Sequence, residues 1–352
     1  MNTIVLTGGG TAGHVTPHIA LIPSLKQNGW DIKYIGSHKG IEKELITKEG
    51  IPYYSISSGK LRRYMSAENF KDPFKVVKGF FDAYKILKKL KPKVVFSKGG
   101  FVTVPVVLAA NMLKIPVILH ESDITPGLAN KIAMKGAKTI CVNFEETLQY
   151  VGSKGVLTGS PIRKELFEGS KEKGNRLCSF KDKKPTLLMM GGSLGSVKIN
   201  TVLRKALPIL VKNFNVIHIC GKGNEEASLE NLEGYKQFEY VGGDLPHLFA
   251  IADFMLSRAG ANALSEIVAL NIPSLLIPLS GAASRGDQIL NANSMKNKGY
   301  CEVLFEEQLN EDTLIQKIDF IYKNKLQYVT AMQQATQMKA IDKIIDIINK
   351  YR

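Results

Sequence analysis

The sequence predicts an α/β protein of two Rossmann-like domains, each a doubly wound parallel sheet, facing one another across a cleft. Three observations carry that prediction. The chain has 352 residues, enough for two domains that each bury a core. Short β-branched runs alternate with helical periods along its length, which is the pattern of repeated βαβ units. The opening unit of strand, glycine turn and helix recurs from residue 186 onward.

In the first half, residues 3–7 read as a strand, followed by glycines and a helix near 17–28. Residues 31–36, 93–97, 116–120 and 139–142 read as further strands at βαβ spacing. A charge-dense stretch at 168–184 follows a linker near 160–175. The pattern then restarts with a strand at 186–190, the glycine run 191–196 and a helix near 197–212. Strands at 216–220, 254–257 and 274–278 continue it, and 326–350 reads as helix. The crevice between two such halves is the natural ligand site.

Composition narrows the class. A hydrophobic fraction of 44% excludes a disordered chain, and 31 Gly with 14 Pro is too little for low complexity. Cys141, Cys178, Cys220 and Cys301 lie far apart without a CxxC pair, so reduced buried thiols are expected rather than a disulfide or zinc framework. The N-terminus has no basic region before its first strand, so no signal peptide is read. The most apolar stretches, 102–119 and 264–279, are broken by Pro, Asn, Lys or Glu and fall short of the ~20 apolar residues of a membrane span. A soluble or peripheral protein is expected. Its 47 Lys+Arg against 32 Asp+Glu, a net charge of +15, call for an anionic partner: nucleic acid, membrane or acidic ligand.

Three glycine clusters follow strands: Gly8–His14, Ser97–Phe101 and Gly191–Ser196. Glycine lets backbone amides approach a phosphate, and the next helix N-terminus adds N–H groups and positive dipole. A lone cluster is as readily a tight βα turn, but three at strand ends favour phosphate binding. Gly8–Gly13 matches GxGxxG, yet the strand at 31–36 ends in Gly36-Ser37-His38 instead of the acid that holds a dinucleotide ribose, and no Walker A lysine motif occurs. Neither NAD nor ATP is expected.

These blocks, in order, resemble a known family. Gly8-Gly-Gly-Thr-Ala-Gly-His-Val-Thr-Pro17, Lys98-Gly-Gly-Phe101, His120-Glu-Ser-Asp-Ile-Thr-Pro-Gly-Leu-Ala-Asn130, Thr158-Gly-Ser-Pro-Ile-Arg163, Gly191-Gly-Ser-Leu-Gly195 and Arg258-Ala-Gly-Ala-Asn-Ala-Leu-Ser-Glu266 are similar to the MurG family of bacterial cell-wall N-acetylglucosaminyltransferases. The resemblance spans residues 8 to about 291. It implies a B-type glycosyltransferase fold. An N-terminal domain, 1–162 with a C-terminal helix at about 335–352 packed back on it, would take the lipid acceptor, and 163–334 would take UDP-N-acetylglucosamine. The implied reaction is inverting transfer to the muramoyl 4-hydroxyl of undecaprenyl-pyrophosphoryl-MurNAc-pentapeptide, giving lipid II for peptidoglycan synthesis. No cofactor and no metal are implied, and no DxD stands at a strand end.

By the same resemblance, Glu266 would hold the donor ribose, as a carboxylate can for a vicinal diol. Ser193 and its loop amides, Arg163, Gln288, Val241, Asn262 and Ala263 would complete the donor contacts with Thr11, Ala12 and Gly13. Gly10, Gly13, His14, Gly99 and Gly100 would hold the acceptor pyrophosphate. His14 could serve as general base, bind a phosphate, or simply pack on its turn; Glu121, beside His120, is a second candidate base or its support. Three departures from the pattern stand out: Ala12 replaces a common glycine, Asn262-Ala263 replaces the Leu-Thr of some members, and Asp123 stands where some relatives carry a donor-contacting asparagine. A carboxylate would repel a diphosphate there, so that role is not transferred.

Residues 60–93 hold eleven Lys and Arg against three acids, a local excess of eight. At about 100° per residue, Phe74, Val77, Phe80, Phe81, Tyr84 and Leu87 share one arc, with Lys75, Lys78, Lys85 and Lys89 outside it. Any surface helix buries an apolar face and solvates its lysines. With a lipid substrate, part of the arc and the flanking lysines are expected to dock on an anionic membrane, at the cytoplasmic face. Cell-wall synthesis proteins are further expected partners. Nucleic acid is not expected, since the basic residues lack interleaved stacking aromatics and the glycine loops would go unexplained. A UDP-sugar epimerase or glycolipid glucosyltransferase of the same fold is the alternative within the class.

Overall fold

The computed structural model describes residues 2–59, 72–180, 182–192, 195–281, 286–335 and 339–352. Ser193, Lys181 and the charged residues Lys60, Arg62, Arg63, Glu68 and Lys71 lie outside the described residues. The chain divides into two compact units, residues 1–163 with 339–352, and residues 164–338.

The first unit holds a seven-stranded parallel sheet of β1 (Asn2–Thr7), β2 (Trp30–Ser37), β3 (Tyr53–Ile56), β4 (Val94–Ser97), β5 (Val117–Glu121), β6 (Thr139–Val142) and β7 (Gly155–Leu157), in the order β3-β2-β1-β4-β5-β6-β7. Both faces are covered. Ile4 and Leu6 point into a core that includes Ile344 and Ile348 of the C-terminal helix Ala340–Asn349, while Val5 points into the opposite core with Val95 and Leu119. Trp30 Nε1 donates to Asn349 Oδ1 at 2.9 Å and pins that helix to β2. Alternate residues buried on opposite faces explain why the central strands read as unbroken apolar runs.

The second unit holds a six-stranded parallel sheet of β8 (Thr186–Met190), β9 (Asn215–Ile219), β10 (Tyr235–Phe238), β11 (Phe254–Ser257), β12 (Ser274–Leu276) and β13 (Cys301–Val303), in the order β10-β9-β8-β11-β12-β13. Four strands, β3, β7, β10 and β13, are additions to those expected from sequence. Each is three or four residues long and stands at a sheet edge. The helix expected at 326–350 is two helices, Lys325–Gln333 in the second unit and Ala340–Asn349 in the first. Among the described residues, no helix is long and apolar enough to cross a membrane.

In both sheets the order reverses beside the first strand of the unit, between β1 and β4 and between β8 and β11. Ligands of doubly wound sheets bind outside the strand C-termini at this switch point. All three glycine clusters fall on it, following β1, β4 and β8.

Candidate functional site

In the first unit, Gly10, Gly99 and Gly100 have φ of +89°, +94° and +89°, which side-chain-bearing residues rarely adopt. The two loops touch: a Cβ on Gly100 would lie 2.2 Å from the Gly9 carbonyl oxygen. Ala12 opens the short 3-10 turn Ala12–His14, where φ is negative, so its methyl is accommodated. His14 is half-buried, and its Nδ1 lies 3.1 Å from Thr11 Oγ1. Together the loops border a cavity of about 590 Å³ whose wall includes Gly9, Gly10, His14, Glu42, Gly100 and Phe101.

Glu42 is fully buried and ties two loops together. Its Oε2 accepts from the Gly10 amide at 3.2 Å, and its Oε1 from the Ser37 amide at 3.0 Å and the Ser37 hydroxyl. The Gly10 N–H expected to meet a pyrophosphate is thus already engaged by a carboxylate. The end of β2 carries no acid: it runs out in Gly36-Ser37-His38. Glu42 lies one short loop further on, in the first turn of helix Ile41–Lys48, and folds back onto the glycine loop.

Beneath the loop junction lies a buried polar cluster. Lys98 is 1% exposed, and its Nζ lies 2.6 Å from His120 Nδ1 and 2.6 Å from Ser122 Oγ. His120 Nε2 lies 2.9 Å from the Gly159 carbonyl. A carbonyl only accepts, so Nε2 carries the ring proton and Nδ1 accepts from Lys98. Burial, with Lys98 as second cause, holds His120 well below the ordinary histidine value, and burial does the same to His18. Burial also lowers Lys98, to about 7, although Glu121 and Asp123 pull the other way.

Glu121 does not pair with His120. Its carboxylate accepts from the amides of Ser122, Asp123 and Gly127 and from Asn130 Nδ2, at 2.8–3.2 Å. Burial, with the charge of Asp123 adding to it, raises its pKa against the hydrogen bonds from Asn130, Asp123 and Gly127. A carboxylate so engaged organises the 122–127 loop.

In the second unit, the loops after β8 and β11 border a cavity of about 440 Å³. Gly191, Gly192, Ser196, Arg258, Ala263 and Gln288 are in its wall. Gly195 cannot carry a side chain, since a Cβ would lie 2.0 Å from the Cys220 carbonyl. Two helix N-termini, of Val197–Asn213 and Ala261–Leu270, begin at these loops and direct positive dipole toward them. Gln288 Oε1 accepts from the Leu279 amide at 3.0 Å, which orients its side chain. Glu266 is half-buried one helical turn beyond Ala263; Asn262, Glu266 and the half-exposed Val241 are outside this cavity's wall. Thr11, Ala12, Gly13 and Arg163 belong to the first unit, Arg163 as its last residue before 339.

Arg258 was not singled out as a site residue from sequence. Its Nη2 donates to Ser196 Oγ at 2.7 Å and to Glu306 Oε1 at 2.5 Å, and Nη1 to the Ile277 carbonyl at 3.1 Å. Burial pushes Glu306 up, but the hydrogen bond and charge of Arg258 outweigh it and hold the carboxyl below its ordinary value. Ser196 caps the helix Val197–Asn213, so this ion pair braces the loop offered to a phosphate. Its signal was the arginine immediately following β11, at the switch point.

The membrane-facing expectation divides along helix Asp72–Leu90. Ala83 and Leu87 are buried in the core and Phe80 and Tyr84 pack against it, whereas Phe74, Val77 and Phe81 are 78%, 55% and 57% exposed. Lys75, Lys78 and Lys85 are exposed beside them. The contacting helix Thr103–Met112 adds exposed Leu108 and Met112, which periodicity did not single out.

Residues 4–142 match the glycosyltransferase family 28 N-terminal domain and residues 186–347 the family 28 C-terminal domain. The chain is 58% identical to the UDP-N-acetylglucosamine–N-acetylmuramyl-(pentapeptide) pyrophosphoryl-undecaprenol N-acetylglucosamine transferase of Clostridium perfringens strain SM101, covering 99% of this chain and 98% of that one. It is 58% identical to the transferase of the same name from Lachnoclostridium phytofermentans, covering 100% and 99%. Its fold matches the crystal structure of Acinetobacter baumannii MurG with a TM-score of 0.79 at 26% identity, over 99% of this chain and 100% of that one. The two cavities at the two switch points, with both domain models and full-length relatives, lead to one conclusion: the chain belongs to glycosyltransferase family 28.

Proposed function

We propose that the chain transfers N-acetylglucosamine from UDP-N-acetylglucosamine to the muramoyl 4-hydroxyl of undecaprenyl-pyrophosphoryl-MurNAc-pentapeptide, forming lipid II. The observation that carries this is 58% identity over essentially the full length to transferases of that name. The donor binds the second unit. Backbone amides of the third glycine loop, with Ser193, and the helix N-termini take the diphosphate, Glu266 the ribose, Val241 the uracil, and Gln288 a sugar hydroxyl, with Arg163, Thr11, Ala12, Gly13, Asn262 and Ala263 as further contacts. The acceptor binds the first unit, its pyrophosphate at Gly13, His14, Gly99 and Gly100. His14 takes the proton of the 4-hydroxyl as the new O4–C1 bond forms on the face opposite the leaving group. The C1–O bond to phosphate breaks with its electron pair passing to UDP, whose charge the loop amides meet without a metal.

The enzyme works peripherally on the cytoplasmic face of the bacterial membrane. Phe74, Val77 and Phe81, extended by Leu108 and Met112, enter the interface, and Lys75 and Lys78 meet anionic headgroups. Phe80 and Tyr84 anchor the helix from its inner side. Cell-wall synthesis proteins are partners of the same surface-bound state. The test offers labelled UDP-N-acetylglucosamine with and without the lipid-linked muramoyl pentapeptide. Transfer that depends on the lipid is expected, whereas release of epimerised free sugar without it would overturn the reading.

A further inference from the structure

A lysine buried in a protein core is costly, and a methionine of similar length would fill the same space without a charge to desolvate. Lys98 is such a residue, and its position is informative. It directly precedes Gly99 and Gly100, and it touches the first loop from below: a Cβ on Gly8 would lie 3.3 Å from Lys98 Cβ. Its own amide donates to the Thr7 carbonyl at 2.9 Å, joining β4 to β1 at the switch point. Nζ is fixed by two acceptors, His120 Nδ1 and Ser122 Oγ. The stem of Lys98 thus lies against Gly8 of the first loop, while its Nζ is an ordered donor held by the His120 ring and the Ser122 hydroxyl.

We propose that Lys98 is the buried counter-charge of the acceptor pyrophosphate, a positioning residue that acts through the two glycine loops and is driven to its protonated form when the diphosphate binds. This rests on the assignment of the acceptor to the first unit. The ionisable groups around Lys98 leave it as the titrating one near neutrality. On β5, His120 is held neutral; on β6, Cys141 is pushed up to about 12; on helix Thr16–Gln27, His18 is held neutral with His14 beyond it. Glu121 and Asp123 supply the negative charge that favours the ammonium, and burial opposes them, so that Lys98 titrates at about 7. A diphosphate above the loops adds charge of the same sign as theirs. Binding then draws in a proton wherever free Lys98 is neutral.

The test uses the full chain with UDP-N-acetylglucosamine and a water-soluble, short-prenyl diphosphoryl-MurNAc-pentapeptide, with each KM measured from pH 6 to 9. Lys98→Met is expected to raise the acceptor KM about tenfold or more while the donor KM stays within about twofold. In the wild-type enzyme the acceptor KM should climb above pH 7, approaching tenfold per pH unit, and Lys98→Arg should recover acceptor binding and flatten that climb. Calorimetry of acceptor binding at pH 8 in buffers of differing ionisation enthalpy should show proton uptake in the wild type that is absent in Lys98→Arg. A wild-type acceptor KM that is flat across pH 7–9 overturns the inference, as does an equal rise of both KM values in Lys98→Met. If circular dichroism shows that Lys98→Met is unfolded, the wild-type profile and Lys98→Arg decide. A wild-type enzyme that transfers nothing to this acceptor sinks the functional reading, and this inference with it; normal transfer with no pH dependence sinks the inference alone.

Discussion

Glu42 serves three donors with two oxygens, two on Ser37 and one on Gly10, from a fully buried position. A glutamine there keeps the shape but brings two N–H donors. Whichever way its amide turns, an N–H faces either the Gly10 amide or the Ser37 pair, and a buried donor loses its acceptor. That costs roughly 1–3 kcal/mol. Glu42→Gln is therefore expected to lower the stability of the first unit by that amount in denaturant unfolding, and to raise the acceptor KM more than the donor KM. Unchanged stability would show that the carboxylate does not hold the loops together. The case also shows what a motif search omits. The glycines were legible because their spacing is a signal; Lys98 and Arg258 head two of the motif blocks, yet their roles, like that of Glu42 outside any block, appear only once strands β1, β2, β4 and β11 bring their ends together.

At the scale of elements, the strands missed from sequence share one physical property. The central strands β1, β4, β8 and β11 are covered on both faces and read as apolar runs, while β3, β7, β10 and β13 are edge strands with half-exposed positions. No apolar run marks them, because half their surface has no core to face. Helix Asp72–Leu90 shows the converse limit: its apolar residues form one arc, and only packing divides the arc into the buried Leu87, the half-buried Phe80 and Tyr84, and the exposed Phe74, Val77 and Phe81. A Phe side chain taken out of water contributes about 1.5–3 kcal/mol. The double variant Phe74→Ser/Phe81→Ser is therefore expected to weaken binding to vesicles containing anionic lipid by well over tenfold. Thermal stability should barely move, because neither ring is part of the core. Vesicle sedimentation checks the first expectation and unfolding the second. Equal binding by wild type and variant would remove this face from the membrane contact.

At the scale of the whole molecule, the net charge of +15 and the two-unit division were legible early. The internal electrostatics were not, since a histidine looks the same in sequence whether buried or exposed. His18 and His120 in the first unit and His218 in the second are buried and neutral, each with its pKa lowered chiefly by desolvation, His218 to about 3. In the unfolded chain these imidazoles titrate near 6.5. Below that pH the unfolded state binds protons that the native state does not, so stability is present at neutral pH and is lost as the pH falls. The slope is about 1.4 kcal/mol per pH unit for each histidine. Glu121 works in the opposite sense, because its raised pKa lets the native state hold a proton that the unfolded state has released. Between pH 6.5 and 5 the first unit, with two such histidines partly offset by Glu121, should lose stability at least as steeply as the second. Domain-resolved unfolding across that range measures the two slopes, and His218→Gln should flatten the second without touching the first. If neither unit loses stability over that interval, these imidazoles take up protons in the folded state and the buried polar clusters admit charge.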